Sequence, residues 1–521
     1  MQQVLVLWEV SRKQSYIYQS NRLKENKGAS IIIEEVTKEL PKKVDPTYTD
    51  KDKKYLIYDG GGSSLYRFPT LLEAQEFIKK ISTYILKEYP GIEVFMVTQK
   101  YNQEEESIIE AIDHAYYKLA QKKNQRKYSG MQVSFGIEKR CASTGLPASA
   151  IDREDGVDRY ISKEIQYKIQ KAQQEKKIFD NLLPEGFKGI LEFDELARGE
   201  KKYMAVIHID GNRMGAMFSD LRKEFTYEKG NYKEINEQYI QALREFSYNI
   251  DQAYREAFAH MTSVIAQKKN QEMLKEYTYI DEGKFPLIPI ILGGDDITFV
   301  CNGRIGLECA RIFLEKLNSL DVAMYKDKKT ETLHACAGVA IVRTSYPFSK
   351  AYQLAEDLCS NAKGRLRKDD PTGEANFSLI DWHIEQGDLM GSIQEIREKN
   401  YKTLDHKKLY MRPLYLNHPN QWNHYYNFLQ AFRYITKLEI HEKKVARNKL
   451  KKLREVLKQG EKETQIFLES NQISNYFPPL QETIGDYCFY KDTCMYYDAI
   501  EMLDLFQELQ EEKEIKREEV S

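Results

Sequence analysis

The chain has 521 residues, 30% of them charged and 41% apolar, which is enough for several domains and a sizeable core. A formal net charge of −2 excludes a globally basic surface for nucleic acid and leaves only local patches. No stretch approaches the ~20 uninterrupted apolar residues of a membrane helix, and the seven cysteines have no framework spacing, as expected of free thiols in a reducing cytoplasm.

Taken in chain order, the elements repeat. A strand at Val4–Val10 runs into an amphipathic segment, Ser15–Leu40. A second strand, Tyr55–Tyr58, reaches the turn Gly60-Gly61-Gly62, and Ser64–Phe68 returns. A helix over Leu71–Tyr89 and a strand over Met131–Ile137 close the first copy. The second copy opens with Met204–Asp210. A long helix follows, with Leu243, Phe246, Ile250, Ala253 and Ala257 at helical spacing. Strand Leu287–Leu292 then meets the turn Gly293-Gly294-Asp295-Asp296, and Ile297–Cys301 returns. Helix Ile305–Leu317, strand His334–Val342 and helix Ser349–Ala362 complete it.

This order predicts an α+β fold: two ferredoxin-like palm domains, each an antiparallel sheet with helices on one face, plus a helical C-terminal domain. The expected boundaries are 1–140 for the first palm, 141–203 for a connecting helical region, 204–370 for the second palm and 371–521 for the helical domain. Trp382, Leu389, Ile393 and Ile396 begin the helical pattern of that last region.

Chemistry concentrates in the second copy. Asp210 ends an apolar strand and Gly211 follows; Asp295 and Asp296 sit at a hairpin tip. On neighbouring strands roughly 4.8 Å apart, three carboxylates would crowd one volume. Such hard oxygen ligands suit Mg²⁺ or Mn²⁺, which can activate a hydroxyl for displacement at phosphorus. Gly293 and Gly294 let the backbone approach a nucleotide. A Gly-Gly-Asp-Asp turn also occurs as a plain hairpin, so the signal lies in its coincidence with Asp210. Lys363, before Gly364, is placed to hold a triphosphate or simply to end a helix. His208, inside an apolar strand, reads as a core residue. Basic clusters at Lys122–Lys127 and Lys443–Lys458 read as solvated helix faces or as phosphate contacts.

Residues 205–218, 287–300, 335–365 and 381–388 resemble the catalytic palm of the large subunit of type III CRISPR effector complexes, the cyclic oligoadenylate synthase family. Residues 8–30 and 58–68 resemble that family's other palm. The resemblance implies a metal-dependent nucleotidyltransferase that condenses ATP into a cyclic or linear oligonucleotide second messenger in antiviral defence. It implies metal ligation by Asp210, Asp295 and Asp296, nucleotide binding by Gly211, Gly293, Gly294 and Lys363, and cytoplasmic partnership with other CRISPR subunits and guide or target RNA. A homo-oligomer is compatible with it.

The departures from the family pattern are equally specific. Asn212 stands where a second acid is common. The first palm offers Gly61, Gly62, Ser63 and Ser64 in place of the paired aspartates, so it is expected to bind the acceptor nucleotide. The chain opens on the palm strand without a His-Asp pair, so no HD nuclease is expected. Cys141 stands alone where the family has a zinc cluster, so no zinc is expected. The rival readings are a catalytically silent RNA- and protein-binding scaffold and a diguanylate-cyclase-like enzyme. Base preference, product linkage and ring size, use of a non-nucleotide acceptor, the activating signal, and action alone or within a complex lie beyond the sequence.

Overall fold

The computed structural model describes residues 1–48, 55–125, 136–153, 156–174, 181–200, 202–325, 329–372, 377–385, 387, 391–418, 421–437, 445–474, 477 and 488–511. Two sheets dominate. The first contains β1 (Gln2–Ser11), β2 (Leu56–Gly60), β3 (Ser63–Phe68) and β4 (Glu93–Asn102), in the order β2-β3-β1-β4. The second contains β5 (Tyr203–Gly211), β6 (Leu287–Gly293), β7 (Asp296–Asn302), β8 (Ala335–Arg343), β9 (Leu379–Ile384) and β10 (Leu414–Tyr415), in the order β10-β9-β8-β5-β7-β6. From the hairpin edge inward, both run hairpin, opening strand, closing strand, with antiparallel pairing at each step. The duplication is therefore present in the topology.

The opening strands are apolar on successive residues because both of their faces are covered. In β1, Val4, Val6, Trp8 and Val10 join one core cluster while Leu5 and Leu7 join the other. In β5, Met204 and Val206 face the first cluster and Ala205, Ile207 and Ile209 the second. Helices lie on both faces of each sheet, where one helical face was expected. Helix α3 (Leu71–Glu88), capped by Thr70 accepting from the Glu73 amide at 3.2 Å, buries Phe77 and Ile81 with Trp8. Helix α4 (Ile108–Asn124), capped by Ser107, buries Ile112 and Leu119 with Leu5.

The first closing strand is β4, with α4 after it, and neither element was read from the sequence. Of the expected strand Met131–Ile137, residues 131–135 lie outside the described residues. The connecting region is not purely helical: a short hairpin, Ala150–Asp152 with Arg159–Ile161, precedes helix α5 (Lys163–Gln174).

In the second palm, helix α6 (Met214–Lys223) and the long α7 (Tyr232–Ile265) precede the Gly-Gly-Asp-Asp hairpin. Helix α8 (Gly306–Asn318) and α9 (Phe348–Asp369) cover opposite faces of the sheet. Helix α9 approaches Gly338 so closely that an added Cβ there would lie 2.0 Å from the Ala355 carbonyl oxygen. Lys363 therefore lies within α9, whose last residue is Asp369, rather than at its end.

Beyond residue 370 the chain re-enters the sheet. Trp382 is on β9, which pairs in parallel with β8, so it does not begin a helix; Leu389 lies outside the described residues. Helices α10 (Ile393–Asn400), α11 (Tyr425–Thr436) and α12 (Arg447–Leu457) follow, with Leu450, Leu453 and Leu457 of α12 buried. All seven cysteines are buried free thiols. No helix among the described residues is long and apolar enough to cross a membrane.

Candidate active site

The two glycine hairpins face one another. A cavity of about 790 Å³ and one of about 410 Å³ lie between the palms, and Gly60, Gly61 and Gly293 line both. Successive residues of a strand point to opposite faces, and the hairpin tip obeys that rule. Asp295 lines the larger cavity with Gly294, Asp251 and Phe218, whereas Asp296 lines the smaller one with Lys13, Ser30 and Gly62. The pair of carboxylates thus serves two spaces.

Asp210 of β5 is the register partner of Asp296. Backbone pairing continues into the turn, where the Gly211 amide donates to the Asp295 carbonyl at 3.2 Å. Gly211 is required by close approach: a Cβ there would lie 2.7 Å from Tyr254 Oη and 3.0 Å from Asp295 Cβ. Gly294 supplies the turn with φ +65°. Burial, with Asp210 second, pushes the Asp295 carboxyl up to about 6. Burial also pushes Asp296 up to about 6, opposed by Lys13 and helped by Asp210 and Glu356. Burial is the main physical cause in both, and the neighbouring acid Asp210 adds to it.

Lys363 Nζ sits 2.6 Å from Asp210 Oδ2 and donates to the Gly211 carbonyl at 2.8 Å. Neither Lys363 nor Asp210 lines either cavity, so this ion pair lies off the two spaces that Asp295 and Asp296 line. The ammonium marks a position that attracts a cation. Asp296 Oδ1 is a buried acceptor without a hydrogen-bond partner. These oxygens fit a hard divalent ion by donor chemistry, although no group of three or more His, Cys, Asp or Glu among the described residues is gathered closely enough to hold one. His208, read as core, is buried with Nδ1 3.3 Å from Thr298 Oγ1 and 3.6 Å from Asp296 Oδ1, and burial lowers its pKa. Asn212 spends its amide on the Phe377 carbonyl at 2.8 Å.

In the first palm, Gly61, Gly62 and Ser63 lie at the facing turn, but Ser64 does not. Its hydroxyl is fully buried on β3 and donates to the Thr37 carbonyl at 3.0 Å, out of reach of a nucleotide. Sequence reasoning missed Glu9 and Lys13. Glu9 is the register partner of Ser63, as Asp210 is of Asp296, and it pairs with Lys123 at 2.6 Å. Lys13, in helix α1 (Lys13–Tyr18), donates to the Gly61 carbonyl and packs where a Gly62 side chain would go. The signal was present: an acid three residues before an arginine occurs as Glu9–Arg12 and Asp210–Arg213, and both arginines take φ near +55°, at 52° and 57°.

The palms also meet beside Asp296 through side chains. Tyr18 stacks on Tyr352 with ring centroids 3.6 Å apart, and Gln14 donates to Tyr352 Oη and to Glu356, each at 3.0 Å. Of the basic clusters, Lys122 donates to the Met96 carbonyl and Lys123 is taken by Glu9; Arg126, Lys127 and Lys443 lie outside the described residues.

A pair of facing hairpins on two sheets of the same strand order, one of them acidic, defines the class: a protein with two palm-like domains. Residues 203–372 match the family model for Cas10/Cmr2, second palm domain. Among solved structures, an apo Csm1–Csm4 cassette matches at 14% identity with a TM-score of 0.55, covering 97% of this chain and 70% of that one. Such a cassette in complex with cA4 matches at 14% identity and TM-score 0.54, over 97% and 70%. Csm1 from T. onnurineus matches at 14% identity and TM-score 0.54, over 96% and 69%. Comparison with curated proteins gives no match. Residues 203–372 are thus similar to the second palm domain of Cas10/Cmr2, and the fold of the described residues is similar to that of Csm1.

Proposed function

We propose that this protein is a nucleotidyltransferase that condenses ATP into a cyclic or linear oligonucleotide messenger within a type III CRISPR defence complex. The observation that carries this reading is the pair of cavities meeting at facing hairpins, with Asp295 in one and Asp296 in the other. Their volumes fall in or near the range of small-molecule sites, roughly 300–1,000 Å³. The similar cassettes support the substrate: Csm1–Csm4 is found in complex with cA4, cA3, pppApA and one ATP.

In this reading the second palm holds the donor triphosphate and the first palm the acceptor. The acceptor hydroxyl oxygen bonds to the α-phosphorus as the α–β bridging bond breaks. Pyrophosphate leaves with the electron pair, and the hydroxyl proton passes to solvent. Mg²⁺ or Mn²⁺, held by Asp210, Asp295 and Asp296, would supply charge neutralisation of the phosphates. The chain's own residues position: Gly293 and Gly294 admit the nucleotide, Lys363 orients Asp210, and Lys13 holds the first hairpin turn toward the cleft. A reacting hydroxyl has to come within roughly 3–3.5 Å of phosphorus, which the facing hairpins favour.

The Lys363–Asp210 pair and the amide of Asn212 favour one rival, a silent scaffold binding RNA and neighbouring subunits. One experiment separates the two: incubate the protein, with target RNA and partner subunits where available, with each labelled nucleoside triphosphate and Mg²⁺ or Mn²⁺, then identify products by mass spectrometry. Oligoadenylate and pyrophosphate are expected. Their absence under every condition selects the scaffold.

A further inference from the structure

A third cavity, of about 310 Å³, lies on the far side of α9 from the cleft, against α10 and residues 408–413. Its wall is cationic. Arg365, Lys368 and Lys408 stand at its rim, and the single acid in its lining is Glu398. Arg365 pairs with Asp369 at 2.5 Å, whereas Lys368 and Lys408 are exposed with no carboxylate partner among the described residues.

The deeper wall is more telling. Arg397, 3% exposed, gives its two terminal nitrogens to Asp381 at 2.9 and 2.6 Å, yet its Nε has no partner. Arg412, 1% exposed, gives Nη2 to Glu501 at 2.9 Å and lies with Nε 3.5 Å from Asp498, while Nη1 has no hydrogen-bond partner. The neighbouring His383 is driven down to about 3, chiefly by burial and then by Arg412 and Arg397. Two flat surfaces complete the cavity. Tyr410 lies under the Arg397 guanidinium, 4.9 Å from ring centroid to guanidinium carbon, and Trp422 lines another side.

We propose that this cavity is a second phosphate-binding site, built for a nucleotide unit whose phosphate meets the lysine–arginine wall while its base meets Tyr410 or Trp422. A planar, cationic and aromatic lining is the chemistry that recognises a nucleotide rather than a bare carboxylate. The site stands apart from the reactive cleft, and the proposal does not rest on catalysis there. Helix α9 links the two places, since Lys363 faces Asp210 while Asn361 donates to Asp381 at 2.7 Å behind Arg397.

The test uses the full chain carrying Asp295→Ala and Asp296→Ala, in EDTA, so that the cleft does not contribute. Calorimetric titration with ATP, inorganic pyrophosphate and a 5′-phosphorylated adenosine trinucleotide should give one-to-one binding of at least one probe. Preference for ATP identifies a free nucleotide, and preference for the trinucleotide a nucleic-acid end. Equal binding of pyrophosphate retains the phosphate site and reduces the aromatic contribution. Lys368→Glu with Lys408→Glu should weaken binding roughly tenfold or more, the equivalent of one charge-assisted contact. Both side chains are exposed, so the fold should survive, which a melting curve checks. Failure of all three probes to bind, or binding unchanged by the lysine substitutions, overturns the proposal.

Discussion

The two palms share a backbone and differ in what they place on it. Each opening strand carries an acid near its end, followed three residues later by an arginine at positive φ, and each acid sits opposite the first residue of the returning hairpin strand. In the first palm that opposite residue is Ser63, and the acid, Glu9, is neutralised by Lys123. In the second it is Asp296, with Asp295 and Asp210 beside it, and both hairpin carboxyls are pushed up to about 6. Positive φ at a non-glycine residue is conformationally costly, so its recurrence at Arg12 and Arg213 marks preserved architecture. The two buried hairpin carboxylates of the second palm, beside the Lys363–Asp210 pair, mark a divided task. One hairpin is electrostatically at rest, and the other is held in a state that a cation would relieve.

The largest effect that would sharpen this contrast is loss of the acidic pair. Asp295→Ala with Asp296→Ala should lower product formation by at least ~10²–10³-fold, with no loss of melting temperature, because repulsive carboxylates contribute no stability. Full turnover in that variant would reduce the hairpin to a turn.

The next prediction concerns Gly62, whose φ is +82° and where a Cβ would lie 2.3 Å from Lys13 Cδ. Gly62→Leu should cost condensation roughly 10²-fold through misplacement of the acceptor. Binding of a nonhydrolysable triphosphate should change by less than about threefold, a shift well under 1.4 kcal/mol. Equal loss of both would mean the two sites are one.

The pH dependence has a definite sign. Folded Asp295 and Asp296 hold their protons up to about pH 6, against an ordinary value of 3.8. Metal-free protein therefore binds more protons folded than unfolded between these values and loses stability as pH rises from about 4 to 6. Asp295→Asn should raise the melting temperature at pH 7.5 by roughly 2–4 °C, the shift expected for about 1 kcal/mol, and leave it unchanged at pH 3.5. Calorimetric scans at the two pH values check this.

The smallest effect separates the two serines. Ser64→Ala should cost about 1 kcal/mol of stability through the lost bond to Thr37 and leave turnover unchanged. Ser63→Ala should leave stability within about 0.5 kcal/mol, as surface substitutions do.

Much of this was legible in the chain. The duplicated order could be read because both opening strands are doubly covered and therefore apolar throughout, and because glycines punctuate both hairpins. Strand β4, Glu93–Asn102, was missed because Val94-Phe95-Met96-Val97 is a short apolar run followed by polar residues, and such a run carries no period of its own. Trp382 looked helical because β9 is fully buried, and an apolar run carries no period of its own. The site acids could be read from spacing. What spacing could not give was the parity of the turn, which sends Asp295 and Asp296 to different cavities. Nor could it show that Ser64 points inward while Ser63 does not, since a single residue of register decides each face.

The division of labour is tested most directly by a crystal structure with a nonhydrolysable ATP analogue and Mn²⁺. The predicted result is one triphosphate held at Asp210, Asp295 and Asp296, with a second nucleotide against Gly61, Gly62 and Ser63 and its ribose directed at the first. A single nucleotide bound away from the Gly293–Asp296 hairpin, or two bound without contact to the first palm, would contradict it.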